Sequence, residues 1–138
     1  MAGDSVLEPE SPLAFPNTNR LTNGIDQREI TGAIERISKS HAMSGSRRLI
    51  QLLTFLVGST LRGDAEHLKE TTIGVAVFGR KPDYDPKVDT IVRSQAWRLR
   101  AKLRSYYSSE GAAERIVVEI PTGHYIPVFL AREEMLAE

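Results

Sequence analysis

Arginine and lysine crowd one short stretch of the chain. Lys87, Arg93, Arg98, Arg100, Lys102 and Arg104 stand within eighteen residues against one acid, Asp89, a net charge of +5. Thr90, Ser94 and Trp97 lie among them. Guanidinium groups can grip guanine bidentately in a major groove, while Arg, Lys, Ser and Thr can anchor phosphates. On a helical wheel with Val92 at zero, Ala96, Leu99, Leu103, Tyr106 and Tyr107 fall within about 60° of it. They form an apolar stripe. Arg93, Ser94, Trp97, Arg98, Ala101, Arg104 and Ser105 take the opposite arc, with Arg100 and Lys102 on the flanks, where long side chains reach phosphates. Thr90 stands where the positive end of the helix dipole suits a phosphate. The competing reading is a solvated basic face with intramolecular partners, or a surface for an acidic protein. Trp97 favours a contact surface, unless it packs on the preceding helix.

Other chemistries find no constellation. The chain has no cysteine, which excludes disulfides, thiolate zinc sites and a Cys nucleophile. His41, His67 and His124 lack metal-ligand spacing. Gly74 to Arg80 has the outline GxxxxGR but not the Gly-Lys-Ser/Thr core of a phosphate loop. Asp83 and Asp85 sit in a Pro-rich segment and suit turn capping better than acid–base work. No cofactor and no enzymatic activity are therefore expected. The formal net charge is zero, but the ends hold much of the acid: Asp4, Glu8 and Glu10, then Glu133, Glu134 and Glu138. A neutral chain can still present a positive face. The apolar stretch 49–61 is too short and too polar for a membrane span. The acidic start lacks the pattern of a secretion signal, so a cytoplasmic location is expected.

The elements that must position these residues follow from periodicity. The length suits one domain. Residues 1–24 hold three prolines and no period, and read as a flexible arm. Ile30, Ala33, Ile34 and Ile37 mark a helix over about 26–43, with Asp26 as N-cap and Glu29 completing a capping-box-like pair. A second helix, about 46–61, is apolar over more than half its circumference. It needs cover from the core on several sides or from another subunit. A third is expected over 69–78, where β-branched residues make a strand the competing reading; Gly79 stops it. Residues 80–88 form a loop. Asp89 caps the basic helix, about 89–107. Strands at 115–120 and 125–130 flank a tight turn at Pro121 to His124, and the tail after Ala131 can add a helical turn. The class is mainly α with a small β-hairpin. Helix, loop, basic helix and hairpin is the order of a winged helix-turn-helix, here over 25–131 with extra N-terminal helices and a tail at 132–138.

The run WRLRAKL followed by IVVEIPTGHYIPVF resembles the end of the OmpR/PhoB-type winged-helix DNA-binding domain. There a recognition helix with an xRLRxKL pattern precedes a wing ending in Gly-Tyr-x-Phe. Residues 68–111 together with the wing are also similar to a bacterial variant found ahead of cyclase or repeat modules. The resemblance, over 46–129, implies a sequence-specific regulator of transcription that binds double-stranded DNA. It places Arg93, Ser94, Trp97, Arg98 and Arg104 toward the groove, Arg100 and Lys102 as the basic pair, and Thr122 to His124 at the wing tip with Tyr125 behind. It also implies that the loop 80–88, through Asp83 and Tyr84, touches RNA polymerase; the competing reading is that Tyr84 packs on the core and the aspartates satisfy turn amides. Three departures stand out. Pro121 lies near the place of the usual wing arginine, the family's N-terminal sheet is not evident, and no receiver pattern is present. The apolar arc of the second helix suggests a homodimer on repeated half-sites. The alternative is a winged-helix interaction module that turns its basic face to an acidic protein.

Overall fold

The computed structural model describes residues 21–137. They are mainly helical, with one small antiparallel sheet. The order is α1 (Gln27–Ser38), α2 (Arg47–Leu61), a 3-10 turn (Ala65–His67), α3 (Glu70–Phe78), α4 (Ile91–Tyr107), β1 (Ile116–Glu119), β2 (Val128–Ala131) and α5 (Arg132–Ala137). The expectation of a flexible arm falls mostly on residues 1–20, outside the described residues. Those just after them are anchored. Thr22 and Ile25 are buried, and the Asn23 side-chain amide donates to the Phe129 carbonyl at 2.7 Å.

Helix α1 begins where Asp26 accepts the Arg28 N–H at 2.8 Å, as the capping pattern predicts. Glu29 does not complete a capping box; its carboxylate meets Arg115. The helix also ends at Ser38, five residues before the expected 43. The Ser40 hydroxyl donates to the Ile37 carbonyl and competes with helical pairing there. The amides of His41 and Ala42 turn instead to the Glu110 carboxylate.

Helix α2 buries Leu49, Leu52, Leu53, Leu56 and Val57 and half-buries Ile50, Phe55 and Leu61. Contacts to α1, the 3-10 turn, α3 and α4 cover its apolar arc within one chain. The arc therefore does not call for a second subunit. Segment 70–78 is a helix, not a strand, and Gly79 closes it at φ 67, a left-handed value that glycine takes without strain.

The stripe on α4 is buried through Val92, Ala96, Leu99, Leu103 and Tyr106, and it joins one core with Ile30, Ile37, Leu52, Ile73, Val118 and Phe129. Each fully buried aliphatic side chain contributes roughly 1.5–3 kcal/mol relative to exposure. In the hairpin Ile116 faces Ala131 and Glu119 faces Val128. The ladder is shorter than the expected 115–120 and 125–130, and the tight turn is an eight-residue loop, 120–127. Two causes are visible: Pro127 has no N–H to donate, and the carbonyls of Ile120, Pro121 and His124 are taken by a side chain of α4. No helix among the described residues is long and apolar enough to cross a membrane.

Candidate nucleic-acid interface

The exposed face of α4 is built by the same period that buries its other side. Arg93, Ser94, Trp97, Arg98, Arg104 and Ser105 are exposed, and Ala101 is half-buried between them. Trp97 is 68% exposed, so it does not pack on α3. With Ser94 and Arg98 it lines a shallow hollow. The side chains of Arg98, Lys102 and Arg104 make no hydrogen bond or ion pair among the described residues. Thr90 is exposed at the start of the helix, and its side chain makes no capping bond. Asp89 fills that role, accepting the Ile91 N–H at 3.2 Å. Its other oxygen pairs with Arg80 Nε at 2.7 Å, and that hydrogen bond holds the carboxyl below the usual carboxylate range. A fixed negative group thus stands beside Thr90 and weakens that end as an anion site.

Two of the six basic side chains are committed inside the fold. Arg93 Nε lies 3.0 Å from Glu70 Oε2 and 3.3 Å from Oε1, although half of the Arg93 side chain remains in solvent. Sequence reasoning missed Glu70; twenty-three positions separate the partners, and no local period links them.

Arg100 departs furthest from expectation. Instead of reaching outward, its Nε donates to the Ile120 carbonyl at 2.7 Å. One terminal nitrogen donates to Pro121 at 3.0 Å and to His124 at 3.2 Å. One guanidinium therefore fastens the 120–127 loop to the flank of α4, a use that suits its rigid fork of donors. Thr122, Gly123 and His124 are exposed at the loop's tip. Gly123 turns there at φ 104, and His124 Nδ1 accepts the Ile126 N–H at 3.1 Å. Thr122 and Arg104 line the same groove, so the loop borders the Arg104 end of the helix. Behind the loop, burial and the Glu70 carboxylate push the Tyr125 hydroxyl up, opposed by Arg100 and Arg93.

The loop 79–90 separates the two residues singled out in it. Asp83 is exposed. Tyr84 is not free for a partner: its hydroxyl donates to the Glu70 carbonyl at 2.9 Å, and its ring lies against Gly74. Tyr84 holds the loop on α3.

The chain matches no protein-family model, no curated protein and no solved structure in the comparisons made. The reading of this surface rests on its own chemistry.

Proposed function

We propose that the chain is a sequence-specific regulator of transcription that binds double-stranded DNA as a winged helix-turn-helix. Helix α4 enters the major groove and the 120–127 loop serves as the wing. The observation that carries this is the Arg100 clamp. It ties the 120–127 loop to the helix that presents Trp97 and the uncommitted cations Arg98, Lys102 and Arg104. An α-helix fits the major groove, and Arg is its commonest specific reader. In this reading Arg98 and Arg93 face bases, with Glu70 steering Arg93. Lys102, Arg104, Ser94, Thr122 and His124 serve phosphates and sugars, and Arg100 acts through the wing it holds. Such a protein works in the cytoplasm of a bacterium. Pairing of two copies on adjacent half-sites belongs to the proposal through DNA geometry, not through α2. Contact with RNA polymerase falls to Asp83, since Tyr84 is engaged.

Trp97 is the only tryptophan, so it reports on its own face. Titration with mixed-sequence duplex should change its emission. The affinity should fall steeply with salt, each neutralised phosphate adding about 0.9 to the log–log slope. No binding at low salt would sink the proposal. The exposure of Trp97 on a basic face also fits an acidic protein partner. That reading gains if the duplex fails and an acidic polypeptide quenches the same emission.

A further inference from the structure

Trp97 stands in water to 68%, on a face otherwise made of cations and small polar groups. Tryptophan buries a large apolar area when it finds a partner, so this side chain offers a contact surface. Its surroundings narrow the occupant. Ser94 and Arg98 border the hollow it lines, and Arg104 lies further along the same face. The occupant must be anionic at its rim and offer an apolar group at its centre. A second copy of this chain fits poorly. A two-fold contact through Trp97 would set Arg98 and Arg104 of one copy near those of the other. A major groove fits both requirements, because phosphates line its rims and the thymine 5-methyl group projects into it.

We infer that Trp97 is a specificity-determining residue that reads thymine by apolar contact with its 5-methyl group. The inference rests on the DNA-binding reading above and adds to it the base and the atom recognised. Ser94 is short and Arg98 ends in a charge, so the indole is the one large apolar group bordering the hollow. The neighbouring Arg98 carries the polar readout, which the methyl contact complements.

The test begins with a duplex selected by the full chain from random sequence. Each thymine is replaced in turn by deoxyuridine, which removes the methyl group and leaves base pairing intact. The wild type should lose about fourfold in affinity at one or two positions, the ratio given by ~0.8 kcal/mol for one buried carbon. Trp97→Ala should bind the thymine duplex correspondingly more weakly and no longer distinguish deoxyuridine at those positions. Trp97→Phe should keep part of the discrimination. Melting of Trp97→Ala at the wild-type temperature establishes that the variant is folded, as an exposed position predicts. A wild type indifferent to every replacement overturns the inference, as does Trp97→Ala with the wild-type ratio at every position. A change in sedimentation with no change in DNA affinity overturns it in favour of self-association. Absence of any duplex binding overturns the DNA reading as a whole, an outcome distinct from binding without methyl dependence.

Discussion

Arg98 and Arg100 stand two positions apart on α4 and face different tasks. Arg98 is exposed and uncommitted, whereas Arg100 gives three hydrogen bonds to loop carbonyls. Arg98→Ala should weaken binding to a selected site by about 1–3 kcal/mol and leave a scrambled duplex much less affected. Equal losses on both would make Arg98 a phosphate contact. Lys102→Ala should weaken all sequences alike and lower the salt slope by about one. Arg100→Ala should instead cost about 1–3 kcal/mol of stability in urea unfolding, because the part-buried carbonyls of Ile120 and Pro121 lose a charged donor. Lysine should not restore it, since a point charge cannot reproduce the fork. Urea midpoints that match the wild type would return Arg100 to the list of outward contacts. The sequence distinguishes the outward arc from the buried stripe through the helical period. It does not reveal that loop carbonyls arrive at Arg100 and a carboxylate at Arg93. Both partners come from other elements, and their placement depends on packing rather than on spacing.

Helices α1, α2 and α4 were legible in the sequence because each carries an apolar stripe at helical spacing, and α1 shows it best. The β-branched run in α3 favours a strand by local propensity. Burial of Ile73 and Phe78 and the Gly79 stop favour the helix, and the structure follows them. The hairpin was legible in existence but not in extent, since side-chain bonds from Arg100 replace ladder pairing near the turn. The α3–α4 connection shows a comparable effect in Tyr84. As a loop aromatic it suggests an exposed contact, yet its ring covers Gly74 and its hydroxyl reaches Glu70. A Cβ on Gly74 would collide with that ring. Gly74→Ala should therefore destabilise the fold by about 1–3 kcal/mol, the usual range for overpacking. Tyr84→Ala should also destabilise it, and the double variant should cost less than the sum, because the added methyl then has room. Additive costs in denaturant unfolding would show that Tyr84 does not press on Gly74. The loop's remaining exposed acid, Asp83, is the position at which loss of transcriptional output with intact DNA affinity would indicate a polymerase contact.

At the scale of the whole molecule, polar fasteners join α1 to the segment between α4 and the hairpin. Arg36 donates twice to the Glu114 carboxylate, at 2.8 and 2.9 Å, and the Tyr106 hydroxyl donates to it at 3.3 Å. The Arg36 hydrogen bond holds Glu114 below the usual carboxylate range, and the amides of His41 and Ala42 do the same for Glu110. A carboxyl whose pKa is lowered by folding adds stability that is complete above its unfolded value, about 4.3 for glutamate. That stability disappears as pH falls through the lowered folded value. The tyrosines act in the other sense. Burial, the largest cause, raises Tyr106 and Tyr107, so their contribution is complete below about pH 10, the unfolded value, and is lost as pH rises through the folded ones. The melting temperature should therefore hold a plateau between about pH 5 and 10 and fall on both sides. Glu114→Gln isolates the acid limb. Arg36 is half exposed, so water screens the pair, and the variant should lose only about 1 kcal/mol at neutral pH. Its decline below pH 4.3 should be shallower than that of the wild type, because one of the linked protons is gone. Thermal melts from pH 3 to 7 measure both quantities. Parallel acid limbs for the two proteins would show that Glu114 does not carry the linkage, leaving it to the other carboxylates that folding lowers, among them Glu110 on the segment after α1 and Asp89 beside Arg80.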